Sequence, residues 1–372
     1  MLSAFQAFDL FQHSRTQLHC GSVTRLQHQS DPLPGFGDNY ASTLWRNAML
    51  TSRHVTLLSI LIIFSACSAE NEPERASSQK ALENGSFITE LSDGKIHYEV
   101  HGAGPVLMVL PNSWGINIAP LRAFYRPLES KLTVVYFDPR GMGTSEPVRV
   151  DADMSTAAVR HDFDAIRQHL GLARVNAIGW SNGAMNLVLL ASEKPETLEK
   201  AVFLHGTASF SDDENKAFAQ EHPELMKAFF ALNQDLKQTS LTDEQKNERL
   251  RGLWLGEYLS ILTADPEAAR PKVAEVFKDC PFSWRHLLHS QQEWPTFDAR
   301  DRLSRITAPS LVLAGAKDSI PVAKAEEMQR GIRNAKLVVF RNSGHFAPIE
   351  EPAAFQNEVL SWLESNQSPT SD

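Results

Sequence analysis

Short apolar runs recur along the chain, and most are followed by segments whose apolar residues return every three or four positions. The runs at 106–110, 134–137, 175–178, 201–204, 310–315 and 336–340 read as buried strands. Segments 118–129, 155–170 and 184–191 read as helices, and in the second Val159, Phe163, Ile166 and Leu170 share one face. A last helix starts at Pro352, with Phe355, Val359, Trp362 and Leu363 on one side. Before all of these, 86–91 and 95–101 pair as a hairpin through Ser92-Asp93-Gly94. Between 211 and 297 the strand pattern stops and amphipathic helical runs replace it, for example 225–236 and 244–262. Strands alternating with helices give an α/β class. Its core is expected to span 86–210 and 298–366, with residues 211–297 inserted as a helical cap.

Composition fits a large folded domain: 372 residues, 42% hydrophobic and 22% charged. The net charge of -9 argues against a nucleic-acid partner. The chain carries no Walker loop, no metal-ligand cluster, no dinucleotide fingerprint and no internal repeat.

The amino-terminal region has another character. Met49-Leu50-Thr51-Ser52-Arg53-His54 is a basic lead, 55–64 is an apolar stretch, and Ser65-Ala66-Cys67 follows. That is the plan of a secretory signal, with an apolar run too short to span a bilayer comfortably. The end resembles the lipobox of bacterial lipoproteins, with Phe64 where leucine is more usual. The resemblance implies a signal at 49–66, lipid on Cys67 and a membrane anchor. Ser68 after it implies the outer membrane of a bacterial envelope; the alternative is a cytoplasmic protein. Residues 67–85 would be a tether, and 1–48 an extension that precedes the true start at Met49 or is disordered. With Cys67 lipidated and Cys20 not made, Cys280 stands alone and no disulfide framework exists.

The chemistry concentrates in Gly179-Trp180-Ser181-Asn182-Gly183, between a strand and a helix. A G-x-S-x-G in that setting is a nucleophile elbow, a turn so sharp that side chains flanking the serine would collide. A serine hydroxyl needs a base, and the base an orienting carboxylate. Asp318 follows the strand that ends at Gly315, and His345 follows the one that ends at Phe340. Ser181, Asp318 and His345 stand in the order serine, acid, histidine.

With these residues the chain resembles the α/β-hydrolase superfamily over about residues 85–366. The run Asp138-Pro139-Arg140-Gly141-Met142-Gly143-Thr144-Ser145 looks like the D-x-R-G-x-G-x-S segment of capped members, where Asp138 and Arg140 hold the loop. The resemblance implies a mostly parallel sheet flanked by helices with an inserted helical cap, a serine-hydrolase activity and no cofactor. The first oxyanion loop departs from the family pattern: where His-Gly is usual, the chain reads Pro111-Asn112-Ser113-Trp114-Gly115. Oxyanion stabilisation takes two backbone N–H donors. Asn182 is expected to give one, and Ser113, with Trp114 as second choice, the other.

The expected substrate is an ester, amide or small peptide. A looser likeness to the proline iminopeptidase and esterase group implies cap carboxylates for a free amine; Glu221, Glu224 and Glu257 are available. Dehalogenase and epoxide-hydrolase chemistry is disfavoured, because those relatives carry aspartate where Ser181 stands. A non-catalytic ligand-binding protein on the same scaffold is the remaining alternative. Trp254, Tyr258, Phe229 and Phe230 are candidate pocket aromatics, and His205 is read as a structural histidine.

Overall fold

The computed structural model describes residues 81–365 apart from Asp93, Pro295 and Thr296. The extension, the signal, Cys67 and most of the tether lie outside the described residues; Gly85, expected to end the tether, already opens the first strand.

Eight strands form one sheet: β1 Gly85–Leu91, β2 Gly94–Gly102, β3 Val106–Leu110, β4 Thr133–Phe137, β5 Val175–Trp180, β6 Leu198–Leu204, β7 Ser310–Gly315 and β8 Ala335–Phe340. Their order is β1-β2-β4-β3-β5-β6-β7-β8. β1 and β2 are antiparallel, as is β2 against β4; every pairing from β4 onward is parallel. A parallel strand covered on both faces must be apolar at successive positions, not alternate ones. β3, β4 and β7 are buried along their whole length, which is why they read as unbroken apolar runs.

Successive side chains still point to opposite faces. Leu107 and Val109 of β3 enter one core, whereas Val106, Met108 and Leu110 enter the other. Helices Thr156–His169 and Asn182–Glu193 close the second core through Val159, Phe163, Leu187 and Val188. Ala119–Tyr125 and Pro352–Glu364 close the first through Phe124, Phe355 and Val359. Each such buried side chain contributes about 1.5–3 kcal/mol of transfer free energy.

Between β6 and β7 lies a helical insertion: Asp212–Glu221, Pro223–Lys237, Asp243–Leu253, Leu259–Leu262, Pro266–Val276 and Trp284–Glu293. Ser211 starts it with a capping box to Glu214. An antiparallel bridge between Ser209 and Asp298 ties its two ends together. A second bridge, Ile116 to Phe282, joins it to the loop after β3, beside the bond from Ser283 N–H to Gly115 O at 2.8 Å.

Two expected helices are broken. The helix of 118–129 stops at Tyr125 and continues as a 3₁₀ turn, Arg126–Ser130; Pro127 lacks the N–H that an α-helix would use. The run 244–262 is interrupted by a π turn, Trp254–Tyr258, with Gly256 at φ -90 and ψ -107. No helix among the described residues is long and apolar enough to cross a membrane.

Candidate active site

Parallel pairing puts the carboxyl ends of β5, β6, β7 and β8 on one edge of the sheet, and the loops leaving that edge carry the expected chemistry. Ser181 follows β5 directly, at φ 55 and ψ -120, and precedes the helix Asn182–Glu193. A non-glycine residue there is strained by about 1–3 kcal/mol. The flanking glycines are required: a Cβ on Gly179 would meet Gly183 O at 2.4 Å, and one on Gly183 would meet Leu110 O at 2.5 Å. The hydroxyl makes no hydrogen bond among the described residues, and its side chain faces the same cavity as His345.

His345 Nδ1 donates to Asp318, at 3.0 Å from Oδ1 and 2.9 Å from Oδ2. The Ile320 N–H reaches Oδ1 at 3.1 Å. Burial would push the Asp318 carboxyl up; the charge of His345 and hydrogen bonds from His205 and His345 outweigh it and hold the group well below the usual carboxylate range. His205 stands past β6, fully buried, with Nδ1 3.0 Å from Asp318 Oδ2. The histidine expected to be structural thus touches the acid rather than lining the cavity.

The oxyanion loop differs from expectation at Ser113. That residue is fully buried; its N–H donates to Asn182 Oδ1 at 2.7 Å and its hydroxyl to the same atom at 3.0 Å. Its N–H is therefore taken up by a side chain and is not free to meet a substrate. Trp114, the next residue, lines the cavity beside Asn182. Among the described residues no acceptor takes the backbone N–H of either. The Asn112 amide, turned to suit both neighbours, accepts from Trp114 Nε1 at 2.8 Å and donates to Trp180 O at 3.0 Å.

The cavity over Ser181 holds about 270 Å³. Trp114, Trp180, Phe218, Trp254 and Tyr258 make an aromatic wall, with the rings of Trp114 and Trp254 stacked at 5.7 Å. Trp254 and Tyr258 bracket the π turn, an irregularity often found at functional sites. Phe229 packs in the core and Phe230 is 38% exposed; neither lines the cavity. In the same lining Lys324 Nζ lies 2.7 Å from Glu214 Oε1 and 3.1 Å from Ser209 Oγ. Of the three cap carboxylates, Glu221 reaches the cavity, whereas Glu224 pairs with Lys227 on the surface.

His205, Asp318 and His345 also lie close enough to suggest a metal cluster. The donor set argues otherwise: both imidazoles spend Nδ1 on the carboxylate, and a backbone N–H occupies Nε2 of His205.

Comparison with known proteins bears on the fold. The family description "alpha/beta hydrolase fold" matches residues 107–352. The chain belongs to the alpha/beta hydrolase family. A pimeloyl-(acyl-carrier protein) methyl ester esterase of Vibrio vulnificus is 23% identical over 273 residues, 72% of this chain and 97% of that protein. A 2-hydroxy-6-oxononadienedioate/2-hydroxy-6-oxononatrienedioate hydrolase of Pseudomonas putida is 26% identical over 280 residues, 73% of this chain and 92% of that protein. Among solved structures, an alpha/beta fold family hydrolase from Bacillus anthracis superposes with a TM-score of 0.62 at 22% identity, covering 75% of this chain and 99% of that one. A proline iminopeptidase from Mycobacterium smegmatis gives 0.56 at 20% identity, covering 75% and 97%.

In this alpha/beta hydrolase the Asp138 segment holds loops. Asp138 Oδ2 lies 2.8 Å from His97 Nδ1 and Oδ1 accepts the Ile118 N–H at 3.0 Å; Arg140 forks onto Asp162 at 2.9 and 2.6 Å. Lys324 and Glu214 carry no signal in the sequence, because a helix after β7 and the first inserted helix meet only in the fold.

Proposed function

We propose that this alpha/beta hydrolase is a serine hydrolase that cleaves an ester, amide or short peptide through an acyl-enzyme on Ser181. One observation carries the reading: a serine on a strained elbow faces one cavity with a histidine whose other nitrogen is held by a buried carboxylate. Ser181 Oγ attacks the substrate carbonyl, and His345 Nε2 takes its proton and later passes it to the leaving group. Asp318 fixes the Nδ1–H tautomer and stabilises the imidazolium. The N–H groups of Asn182 and Trp114 receive the oxyanion, at a helix N-terminus that favours negative charge. Water then releases the acyl group.

The aromatic wall suits an apolar acyl portion, which favours esters over substrates with a free amine. A proline iminopeptidase-like activity would rest on Glu221, since the Glu214 carboxylate is already answered by Lys324. Labelling with a fluorophosphonate probe tests the reading: the intact protein takes the probe on Ser181 and Ser181→Ala does not. A protein that binds acyl compounds yet resists the probe is a ligand-binding member of the fold. Turnover of short acyl esters beside amino-acid arylamides then separates the esterase from the aminopeptidase reading.

The amino-terminal sequence supports attachment to a bacterial envelope through lipid on Cys67, a residue outside the described part of the structure.

A further inference from the structure

His205 combines three features that no other histidine among the described residues combines. Its backbone is left-handed at φ 52, and it is one of only two non-glycine residues so placed among the described residues, Ser181 being the other. Its side chain is completely buried. Both ring nitrogens are engaged: Nδ1 lies 3.0 Å from Asp318 Oδ2, and Nε2 accepts the backbone N–H of Ala347 at 3.3 Å.

That second bond settles the tautomer. A backbone N–H can only donate, so Nε2 carries a lone pair and the proton of the neutral ring sits on Nδ1. Nδ1–H therefore donates to Asp318. The carboxylate is shared between two imidazoles, with His345 donating from 2.9 Å and the ring centres 5.3 Å apart. Ala347 lies just beyond His345, so His205 bridges the acid loop after β7 and the histidine loop after β8. Strain of this kind persists only where surrounding structure enforces it, and it concentrates at functional sites.

We propose that His205 is a positioning residue of the triad, a second Nδ1–H donor that fixes the Asp318 carboxylate and divides its charge, thereby tempering its hold on His345. This rests on the reading of Ser181, Asp318 and His345 as the reacting group. Burial holds His205 below its ordinary range although Asp318 pulls the other way. Protonating it would drive an Nε2–H against the Ala347 N–H. The other titratable groups facing the pair are Tyr258, from the π turn, and Glu350, after the histidine loop.

The sign of the effect follows. Without the His205 donor, more of the Asp318 charge falls on His345, the imidazolium is favoured, and His345 becomes an available base only at higher pH. The test is the rate of fluorophosphonate labelling of Ser181 against pH, in the full chain and in His205→Ala and His205→Asn. Asparagine tolerates the left-handed backbone and can place an N–H near the Nδ1 position. For His205→Ala the acid limb should move up by about half a pH unit or more, and labelling at any pH on that limb should slow by about threefold or more. His205→Asn should return the limb to its original position. A His205→Ala profile that overlays the parent's overturns the proposal, as does a His205→Asn profile indistinguishable from that of His205→Ala.

Nitrogen-15 NMR of histidine-labelled protein supplies a readout independent of activity. His205 should show a protonated Nδ1 and a bare Nε2 from pH 5 to 9, with a shift that responds to Asp318→Asn. An Nε2–H tautomer, or a ring that charges within that range, overturns the assignment. A parent protein that refuses the probe sinks the serine-hydrolase reading instead, and the NMR arm still decides the place of His205.

Discussion

Asn182 Oδ1 receives both the backbone N–H and the hydroxyl of Ser113, at 2.7 and 3.0 Å. The residue after the serine thus clamps the loop after β3, which reads Pro111-Asn112-Ser113-Trp114-Gly115. Asn182→Leu keeps the backbone donor but removes the clamp and leaves two buried donors unanswered. A stability loss of about 1–3 kcal/mol and an activity loss of about ten- to a hundredfold are expected, larger than for Ser113→Ala, which retains one of the bonds. Urea unfolding with ester turnover checks both; an Asn182→Leu variant as active as the parent refutes the clamp.

The triad variants should behave as a unit. Ser181→Ala and His345→Ala should each lower turnover by about a thousand- to a millionfold, with the fold retained. Backbone strain adds a stability test: Ser181→Gly should be more stable than Ser181→Ala by about 1 kcal/mol, because glycine accepts φ 55 without cost. Thermal unfolding of the two variants decides this, and equal stabilities would remove the strain argument.

His286 pins the insertion to the core. Its Nε2–H donates to Arg140 O at 2.8 Å and its Nδ1 faces Ser283 Oγ at 2.8 Å. Burial pushes the imidazole down to about 4 from 6.5, only partly offset by the Arg140 carbonyl. Between those pH values the unfolded chain binds a proton that the folded one refuses, so stability falls as pH falls from 6.5 towards 4, by up to roughly 3 kcal/mol. Above 6.5 this contribution is complete. His286→Gln should show a shallower loss over the same window in urea titrations; parallel curves would show that another group carries the acid sensitivity.

Trp254 stacks on Trp114 and faces the cavity. Trp254→Ala should cost about 3–5 kcal/mol and enlarge the acyl space. A panel of esters of increasing acyl length should then shift its optimum to longer chains; an unchanged length profile would place the acyl group elsewhere.

If Cys67 carries lipid, the protein should leave membranes only with detergent, and Cys67→Ser should yield a precursor or a soluble product of unchanged specific activity. Intact mass of the native protein checks this. An unmodified, wholly soluble chain starting at Met1 would overturn both the anchor and the start at Met49.

The sequence alone determined the sheet strands, the elbow at Ser181, the order of Asp318 and His345, and the helical character of the insertion. Those features rest on local physics: apolar runs that a doubly covered strand demands, and glycines where a Cβ has no room. Tertiary structure decided the rest. Ser113 spends its N–H inside the protein because Asn182, on another element, is placed to take it, and no local pattern records that meeting. His205 reads from the sequence as a satisfied structural histidine, and only the parallel pairing of β6 and β7 brings it to Asp318. Lys324 met Glu214 across more than a hundred residues of chain. Periodicity runs 244–262 as one helical stretch because it records which side chains are apolar, whereas the π turn at Trp254–Tyr258 depends on what those side chains pack against.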